Sequence, residues 1–213
     1  VLISAFLPYV GGVLMLAALP LLSLGFMVAS ESALANGPVH PGYFIQPLRR
    51  DAGRRRSLLV LCGLYAVGSI TIIVVSDAID NGAFERLREL LAKGNATPEI
   101  DELVSQPSFW LGLFVRFGLA TLLSVPFWHA PALVHWGAQG PAQSLFSSTL
   151  AVWRSKGAFV VYSLTWLGLI IAFGALAALL FGLLGMGQFA GIVALPAGLM
   201  FSTVFYVSLL FTF

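Results

Sequence analysis

The sequence predicts an all-α fold, a polytopic bundle of transmembrane helices. Of its 213 residues, 59% are hydrophobic and 9% are charged, whereas soluble globular domains are usually about 45–50% apolar and about 25% charged. The mean hydropathy is +0.94. The apolar residues also form several runs long enough to cross the roughly 30 Å hydrocarbon layer of a bilayer. A chain of this kind needs lipid around it.

Five apolar segments supply the length of complete membrane crossings. A crossing helix needs about 20 residues at a rise of roughly 1.5 Å per residue. The five segments cover approximately 13–35, 57–76, 109–128, 157–184 and 189–213. Pro20 is expected to kink the first of them. We therefore predict five full spans within one transmembrane domain, 1–213.

The first residues of the chain are interpreted as the end of a sixth, N-terminal helix. The seven apolar or small residues before Pro8 are too few to cross a membrane. Pro8 and the Gly11-Gly12 pair predict a tight turn after them. A signal peptide is the competing interpretation, but the charged n-region is missing. Both ends of the chain are expected to continue in the natural protein.

The stretch from Gln46 to Arg56, between the first two full spans, predicts the orientation of every helix. It holds five of the eleven Lys and Arg residues: Arg49, Arg50, Arg54, Arg55 and Arg56. Short Arg-rich loops stay on the cytoplasmic side of a membrane. Arg154 and Lys156 bring the two predicted inner loops to seven basic residues, against three in the outer loop. The five arginines are also candidates for docking anionic lipid or a partner protein.

Two segments outside the spans are predicted to form surface helices. Residues 80–106 are net acidic and contain an amphipathic helix that ends at Gly94, followed by a second helix that starts at Thr97-Pro98. Its apolar positions are Phe84, Leu87, Leu90 and Leu91. Residues 141–155 predict a cytoplasmic helix lying in the membrane plane. Its apolar positions are Ala142, Leu145, Phe146, Leu150 and Trp153.

Two repeated patterns concern the packing of the spans. Similar short sequences surround Pro20, Pro126 and Pro196, and this repeat predicts three helical hairpins. The alternative is that no repeat exists, because membrane helices tolerate proline without one. Small residues recur at every fourth position on the last two spans. They are Gly174, Ala178 and Gly182 on one span and Ala190, Ala194 and Gly198 on the other. Such stripes let helices approach closely, so these two spans are expected to pack together.

Several sequence motifs together resemble those of a known family. LPYVGG and ALPLLSLGFM lie near the start, the Arg-rich loop follows, and PFWHAPALVHWG comes further on. They resemble an uncharacterised family of proteobacterial polytopic inner-membrane proteins, over most of the chain. The resemblance implies a bacterial inner membrane and an additional N-terminal segment that completes the first helix. The motifs of this family are apolar and structural, so the resemblance supplies no active-site signature and leaves the function open.

Arg116, near the middle of the third span, is the most informative polar residue. An arginine at that depth costs between about 3 and more than 10 kcal/mol unless it faces protein or water, so we expect it to point into the bundle. One interpretation is a site for an anion or a lipid headgroup within a cavity. The other is a structural arginine, either bound to Ser, Thr or backbone partners or extending toward the interface.

The histidines and the single cysteine indicate no metal site. His129 and His135 would lie about 240° apart on one helix, so a metal or haem site built from both would need a break at Pro131 to reorient one of them, and His40 could then join them on the same side. Cys62 can form neither an internal disulfide nor a thiolate cluster. Glu31 is expected to pair with the Arg-rich stretch rather than serve a proton path. We expect no cofactor.

The remaining patterns favour a binding function over catalysis. No phosphate-binding loop, no nucleophile with a base at a recognisable spacing and no paired carboxylates within a span occur in the sequence. The net charge of +2 does not indicate a nucleic-acid partner. We therefore expect a non-enzymatic accessory, assembly or scaffold subunit that contacts membrane lipids and other membrane proteins. The alternative is a transporter or channel for a small solute or lipid, with a cavity near Arg116.

Overall fold

The computed structural model describes residues 2–49, 51–92, 98–183 and 190–213, and the regular structure in these ranges is helical. The helices are α1 (Leu2–Leu34), α2 (Gln46–Arg49), α3 (Ala52–Asp80), α4 (Ala83–Ala92), α5 (Pro98–Ser105), α6 (Pro107–Phe127), α7 (Ala130–His135), α8 (Pro141–Arg154), α9 (Lys156–Leu183) and α10 (Ala190–Ser208). Short 3-10 helices cover Pro41–Phe44 and Leu209–Thr212. The predicted all-α class is confirmed.

Four helical segments among the described residues are long and apolar enough to cross a membrane. They are Gly11–Leu34, Ala52–Asp80, Pro107–His135 and Lys156–Leu183. The fifth predicted span corresponds to α10, where the apolar segment Pro196–Thr212 is shorter. The predicted turn at 185–188 lies outside the described residues.

The N-terminal prediction is corrected by α1, which is one continuous helix through Pro8, Gly11 and Gly12. The predicted tight turn is absent, so the residues before Pro8 belong to α1 and are not the end of a separate helix. The physical reason is that an apolar environment offers the backbone no water to bond to, so continuing the helix costs less than breaking it. The first of the three predicted hairpins is therefore not found among the described residues.

The packed core lies where the C-terminal half of α1 meets the N-terminal half of α3. Leu24 and Val28 of α1 and Leu58 and Leu61 of α3 are buried there, together with residues of α7. Five of the six residues of α7 are buried. A short helix that is apolar on all sides can be stable only when other elements surround it. Helix α7 is therefore the centre of this core.

The charged residues divide between the two ends of α3. We call the N-terminal end of α3 the basic end. Its exposed basic side chains are Arg49, Arg55, Arg56, Arg154 and Lys156. Helices α4 and α5 follow the other end, which we call the acidic end. Their exposed carboxylates are Glu85, Glu89, Glu99, Asp101 and Glu102.

Helices α4 and α5 occupy the segment predicted to be amphipathic. Phe84, Leu87 and Leu90 of α4 are half-buried, while Leu91 is exposed. Helix α5 begins at Pro98, the predicted first helical position. The predicted end at Gly94 and the predicted cap at Thr97 lie outside the described residues.

Helix α8 matches the helix predicted over 141–155 and has an unusual division of its faces. The residues that it buries against the bundle are Ser144, Ser148 and Val152. Phe146, Leu150 and Trp153 are exposed. Because the inward face carries small side chains, α8 lies close to its neighbours, and its bulky apolar residues face away from the chain.

Helices α9 and α10 do not pack through their small residues in the described part of the chain. A Cβ added at Gly174, Gly182 or Gly198 would meet nothing within 4 Å, and the side chains of Ala190 and Ala194 lie outside the described set. Aromatic side chains join the two helices instead, for example Phe173 and Phe201 with ring centroids 5.0 Å apart. These rings require more space between the helices than a glycine contact would, and the predicted close packing is not found at these glycines among the described residues.

Candidate functional site

Arg116 lies in the contact between α3 and α6. Its Nε donates a hydrogen bond to Ser76 Oγ at 2.9 Å, and its Nη2 donates to Asp77 Oδ1. Its guanidinium carbon lies 4.2 Å from the centroid of the Phe84 ring, in a cation–π contact. The side chain is 14% exposed. Protein groups therefore surround this charge and supply its partners, including a carboxylate that the sequence analysis did not name.

A second acidic side chain fixes the same helix pair. Asp80 is 2% exposed, and its Oδ1 accepts a hydrogen bond from Gly82 N at 2.9 Å, just beyond the end of α3. A Cβ at Gly112 would lie 2.6 Å from the Asp80 Cβ, so this glycine permits the close approach of α6. Opposite charges on two consecutive antiparallel spans were the sequence pattern that could have identified the Arg116–Asp77 pair.

The arginines of the Gln46 to Arg56 stretch have different surroundings. Arg54 Nη1 donates to the carbonyl of His135 at 3.1 Å, at the C-terminal end of α7. Its Nε also lies 3.2 Å from Asp51 Oδ2. Carbonyls at a helix C-terminus lack intrahelical donors, so Arg54 stabilises α7. By contrast Arg49, Arg55 and Arg56 are exposed, and Arg50 lies outside the described residues.

The three histidines are not brought to one point. His40 Nδ1 accepts from Gly42 N at 3.1 Å, and its ring stacks on Tyr43 with centroids 4.2 Å apart. His129 and His135 are buried at the two ends of α7. Across the described ranges, no three His, Cys, Asp or Glu side chains gather where they could hold a metal ion.

Glu31 forms no ion pair with the described arginines of the Gln46 to Arg56 stretch, and Arg50 lies outside the described residues. Glu31 is exposed. The ion pairs among the described residues are Arg54–Asp51, Arg88–Glu85 and Arg116–Asp77. Arg54, the partly buried arginine of the stretch, is already engaged with Asp51 and with the end of α7.

A cavity of about 530 Å³ lies between α7, α8, the start of α9 and the 3-10 helix Leu209–Thr212. It is lined by His129, Leu133, Ser147, Ala151, Arg154, Ser155, Phe159, Thr212 and Phe213. Sequence reasoning missed it, because its walls come from four elements and only the fold brings them together. The sequence signals that could have pointed to it were His129, which follows a proline-containing helix, and Arg154, which ends the predicted in-plane helix.

His129 is held firmly at this cavity. Its backbone N donates to Ser148 Oγ at 3.0 Å, and Ser148 Oγ in turn donates to the carbonyl of Val125 at 3.2 Å. Its ring contacts Phe159 and Phe213, with centroids 5.8 and 5.7 Å away. Ser148 thus bonds both sides of the break between α6 and α7, and the break places the imidazole in the cavity wall.

Further cavities lie elsewhere among the described residues. One of about 140 Å³ sits between α1, α3, α6 and α10, and its walls include Pro20, Ser23, Tyr65 and Ser124. Another, of about 440 Å³, is an apolar groove beside the end of α1 and α10, and a third, of about 420 Å³, lies between α4 and α5. Arg116 lines none of these, nor the cavity at His129.

The chain has a clear relative. Over all 213 residues it is 30% identical to a probable inner membrane protein of Burkholderia thailandensis, of which it covers 78%. The chain belongs to the same family. The resemblance to inner-membrane proteins is thereby confirmed, and the four apolar helices fit an integral membrane protein. No protein-family model and no solved structure matches the chain. The name of this inner-membrane relative states a location and no activity.

Proposed function

We propose that the chain is a non-enzymatic, multi-pass protein of the bacterial inner membrane that acts as an accessory, assembly or scaffold subunit and packs against other membrane proteins. The observation that carries this proposal is the exposure of α9. Its most apolar stretch has none of its residues buried in the described chain, whereas 28% of the corresponding stretch is buried in α1 and in α3.

Helix α9 also offers a surface suited to a partner helix. Between transmembrane helices there is no hydrophobic driving force, and association depends on close packing at small residues. Gly174, Ala178 and Gly182 form such a stripe, and all three are exposed. The two glycines meet open space within the described chain. A stripe that the described residues leave uncontacted supports packing against a second protein.

The topology proposed with this function has five crossings and a cytoplasmic basic end. Helix α10 has 19 residues, which at about 1.5 Å per residue reaches roughly 28 Å, and the 3-10 helix Leu209–Thr212 extends it. The exposed Arg49, Arg55 and Arg56 favour the cytoplasmic side. Together with the exposed apolar face of α8, they form a surface that could dock anionic lipid or a partner.

The test is a substitution that blocks the stripe without disturbing the chain. Gly174→Leu and Gly182→Leu place side chains where no described atom lies within 4 Å of the new Cβ, so we expect the chain to fold while a partner helix can no longer approach. We expect the double variant to lose co-purifying membrane proteins after gentle detergent extraction. Gly63→Leu on α3, also exposed and open, is the matched control. Unchanged co-purification in the double variant would contradict the proposal.

The second candidate function is a transporter or channel for a small solute or lipid. The cavity of about 140 Å³ beside Pro20 favours it, because cavities next to proline-bearing helices are typical of transporter sites. Arg116, on which this hypothesis first relied, is occupied by Ser76 and Asp77. A purified chain without partners that raises solute flux across reconstituted vesicles would favour this candidate over the first.

A further inference from the structure

We propose that the cavity between α7, α8 and α9 binds the phosphate group of an anionic phospholipid, with Arg154 and His129 as its polar contacts. The size of the cavity, about 530 Å³, lies within the usual range of about 300–1,000 Å³ for ligand pockets. It is separate from the exposed face of α9 on which the proposed accessory function rests.

The walls of the cavity are divided as an amphiphilic ligand requires. Its polar side chains are His129, Ser147, Arg154, Ser155 and Thr212, and its apolar ones are Leu133, Ala151, Phe159 and Phe213. None of the polar ones is an acid. Thr212 already bonds to protein, since its Oγ1 accepts from Trp128 Nε1 at 3.1 Å and donates to the Leu209 carbonyl at 2.8 Å. The groups left to meet a ligand are two serine hydroxyls, an imidazole and a guanidinium.

His129 supplies the first sign of a missing ligand. The residue is 4% exposed, and its Nδ1 is buried without a hydrogen-bond partner among the described residues. The contacts of its ring are the aromatic ones with Phe159 and Phe213. A buried polar group without a partner costs free energy. Because this nitrogen has almost no accessible surface where it stands, a small rotation of the ring in the cavity wall would be needed to bring it to a ligand oxygen, which would then supply the hydrogen bond that the described protein groups do not.

Arg154 supplies the second sign of a missing ligand. It ends α8, is exposed, and forms no ion pair with the described residues. A guanidinium binds phosphate through two parallel hydrogen bonds, and these charge-assisted bonds are about twice as strong as neutral ones. The hydroxyls of Ser147 and Ser155 on the same wall can donate to the remaining phosphate oxygens.

The position of the cavity favours a lipid over free phosphate. Trp153 is exposed next to Arg154, and Lys156 Nζ lies 5.3 Å from the Trp153 ring centroid at the start of the membrane-crossing α9. Tryptophan and basic residues together mark the headgroup level of a bilayer. A phosphate bound at this level can keep its glycerol and first acyl carbons against Phe159 and Phe213.

The experiment measures binding of defined lipids to the purified, delipidated chain in detergent by native mass spectrometry. We expect phosphatidylglycerol to bind and diacylglycerol with the same acyl chains, which lacks the phosphate, to bind at least tenfold more weakly. Arg154→Gln should weaken phosphatidylglycerol binding about tenfold, the usual effect of one charge-assisted hydrogen bond. His129→Phe keeps the ring contacts and removes the nitrogens, and it should weaken binding severalfold.

The matched control is Lys156→Gln, which removes a neighbouring charge that does not line the cavity and should change binding less than threefold. An equal loss with Lys156→Gln would mean that general charge attraction is the cause, and the proposal would be overturned. Equal binding of diacylglycerol, or unchanged binding after Arg154→Gln, would overturn it as well. Arg154 is exposed, so its variant tests the site even if His129→Phe does not fold. Displacement of the lipid by millimolar inorganic phosphate would assign the cavity to free phosphate and refute the lipid source.

Discussion

Helices α7 and α9 are both apolar, yet the structure uses them in opposite ways. Five of the six residues of α7 are buried, whereas α9, with 28 residues, has none buried in the described chain. The difference shows that an apolar sequence in a membrane protein indicates only that water does not surround the helix. Whether protein or lipid covers the helix depends on its neighbours.

The hydrogen bonds around the two helices are distributed differently. Helix α7 is bonded at both ends, by Ser148 at the His129 backbone N and by Arg54 at the His135 carbonyl. Helix α9 is bonded to another element near its N-terminal end, where Tyr162 Oη lies 2.6 Å from Ser208 Oγ of α10. Further along α9, the hydroxyl of Thr165 donates to the carbonyl of Val161 in the same helix. Both ends of α7 are therefore fixed by hydrogen bonds to other elements, whereas α9 is fixed near one end.

The largest expected effect separates the core from α9 directly. Leu61→Ala removes a fully buried side chain of the core, and such changes cost about 2–5 kcal/mol in soluble proteins. Leu180→Ala on α9 removes an exposed side chain and should change stability by less than about 0.5 kcal/mol. Thermal unfolding of both variants in the same detergent measures the difference. Equal losses would show that α9 is packed in the protein as it exists in detergent, and the comparison would fail.

A second, smaller effect extends the comparison to the acidic end. Arg116→Gln leaves the Asp77 carboxylate without its charged partner, and breaking a buried pair costs about 3–5 kcal/mol. Because the Asp77 side chain is 39% exposed, water compensates in part, and we expect about 2 kcal/mol. Asp77→Asn combined with Arg116→Gln should recover part of the loss. A double variant that is less stable than the sum of the two single changes would contradict a direct interaction.

The sequence predicted those features that depend on local patterns. The apolar runs predicted the membrane-crossing helices, helical spacing predicted α4 and α8, and Pro98 was correctly placed at the start of α5. Proline at the first position of a helix and one-sided apolar spacing act within a few residues. No knowledge of the neighbouring helices was needed for these predictions.

The features that sequence reasoning missed all depend on which faces meet. The continuity of α1 through Gly11 and Gly12 reflects the apolar surroundings, which outweigh a local preference for a turn. The pairing of Arg116 with Asp77 requires two helices to lie side by side. The cavity at His129 needs four elements at once. Spacing along one chain segment carries no information about contacts of this kind.

The smallest expected effect concerns two adjacent arginines that the sequence alone cannot tell apart. Arg54 donates to the end of α7, whereas Arg55 is exposed. Arg54→Gln should lower stability by about 1 kcal/mol, since it loses a hydrogen bond from a partly exposed charged group. Arg55→Gln removes the same charge from the same turn and should leave stability unchanged. Thermal unfolding distinguishes them.

The number of basic residues at this end is equal in the two variants, so the positive-inside effect should act equally on both. Labelling of a cysteine at Ser57, in a Cys62→Ser background, checks that their orientation matches. If both variants lose the same stability with the orientation preserved, charge at the basic end and not the bond to α7 is responsible. If only Arg54→Gln loses stability, then one of two neighbouring arginines supports the core, and the other is left for the surface that faces lipid or a partner.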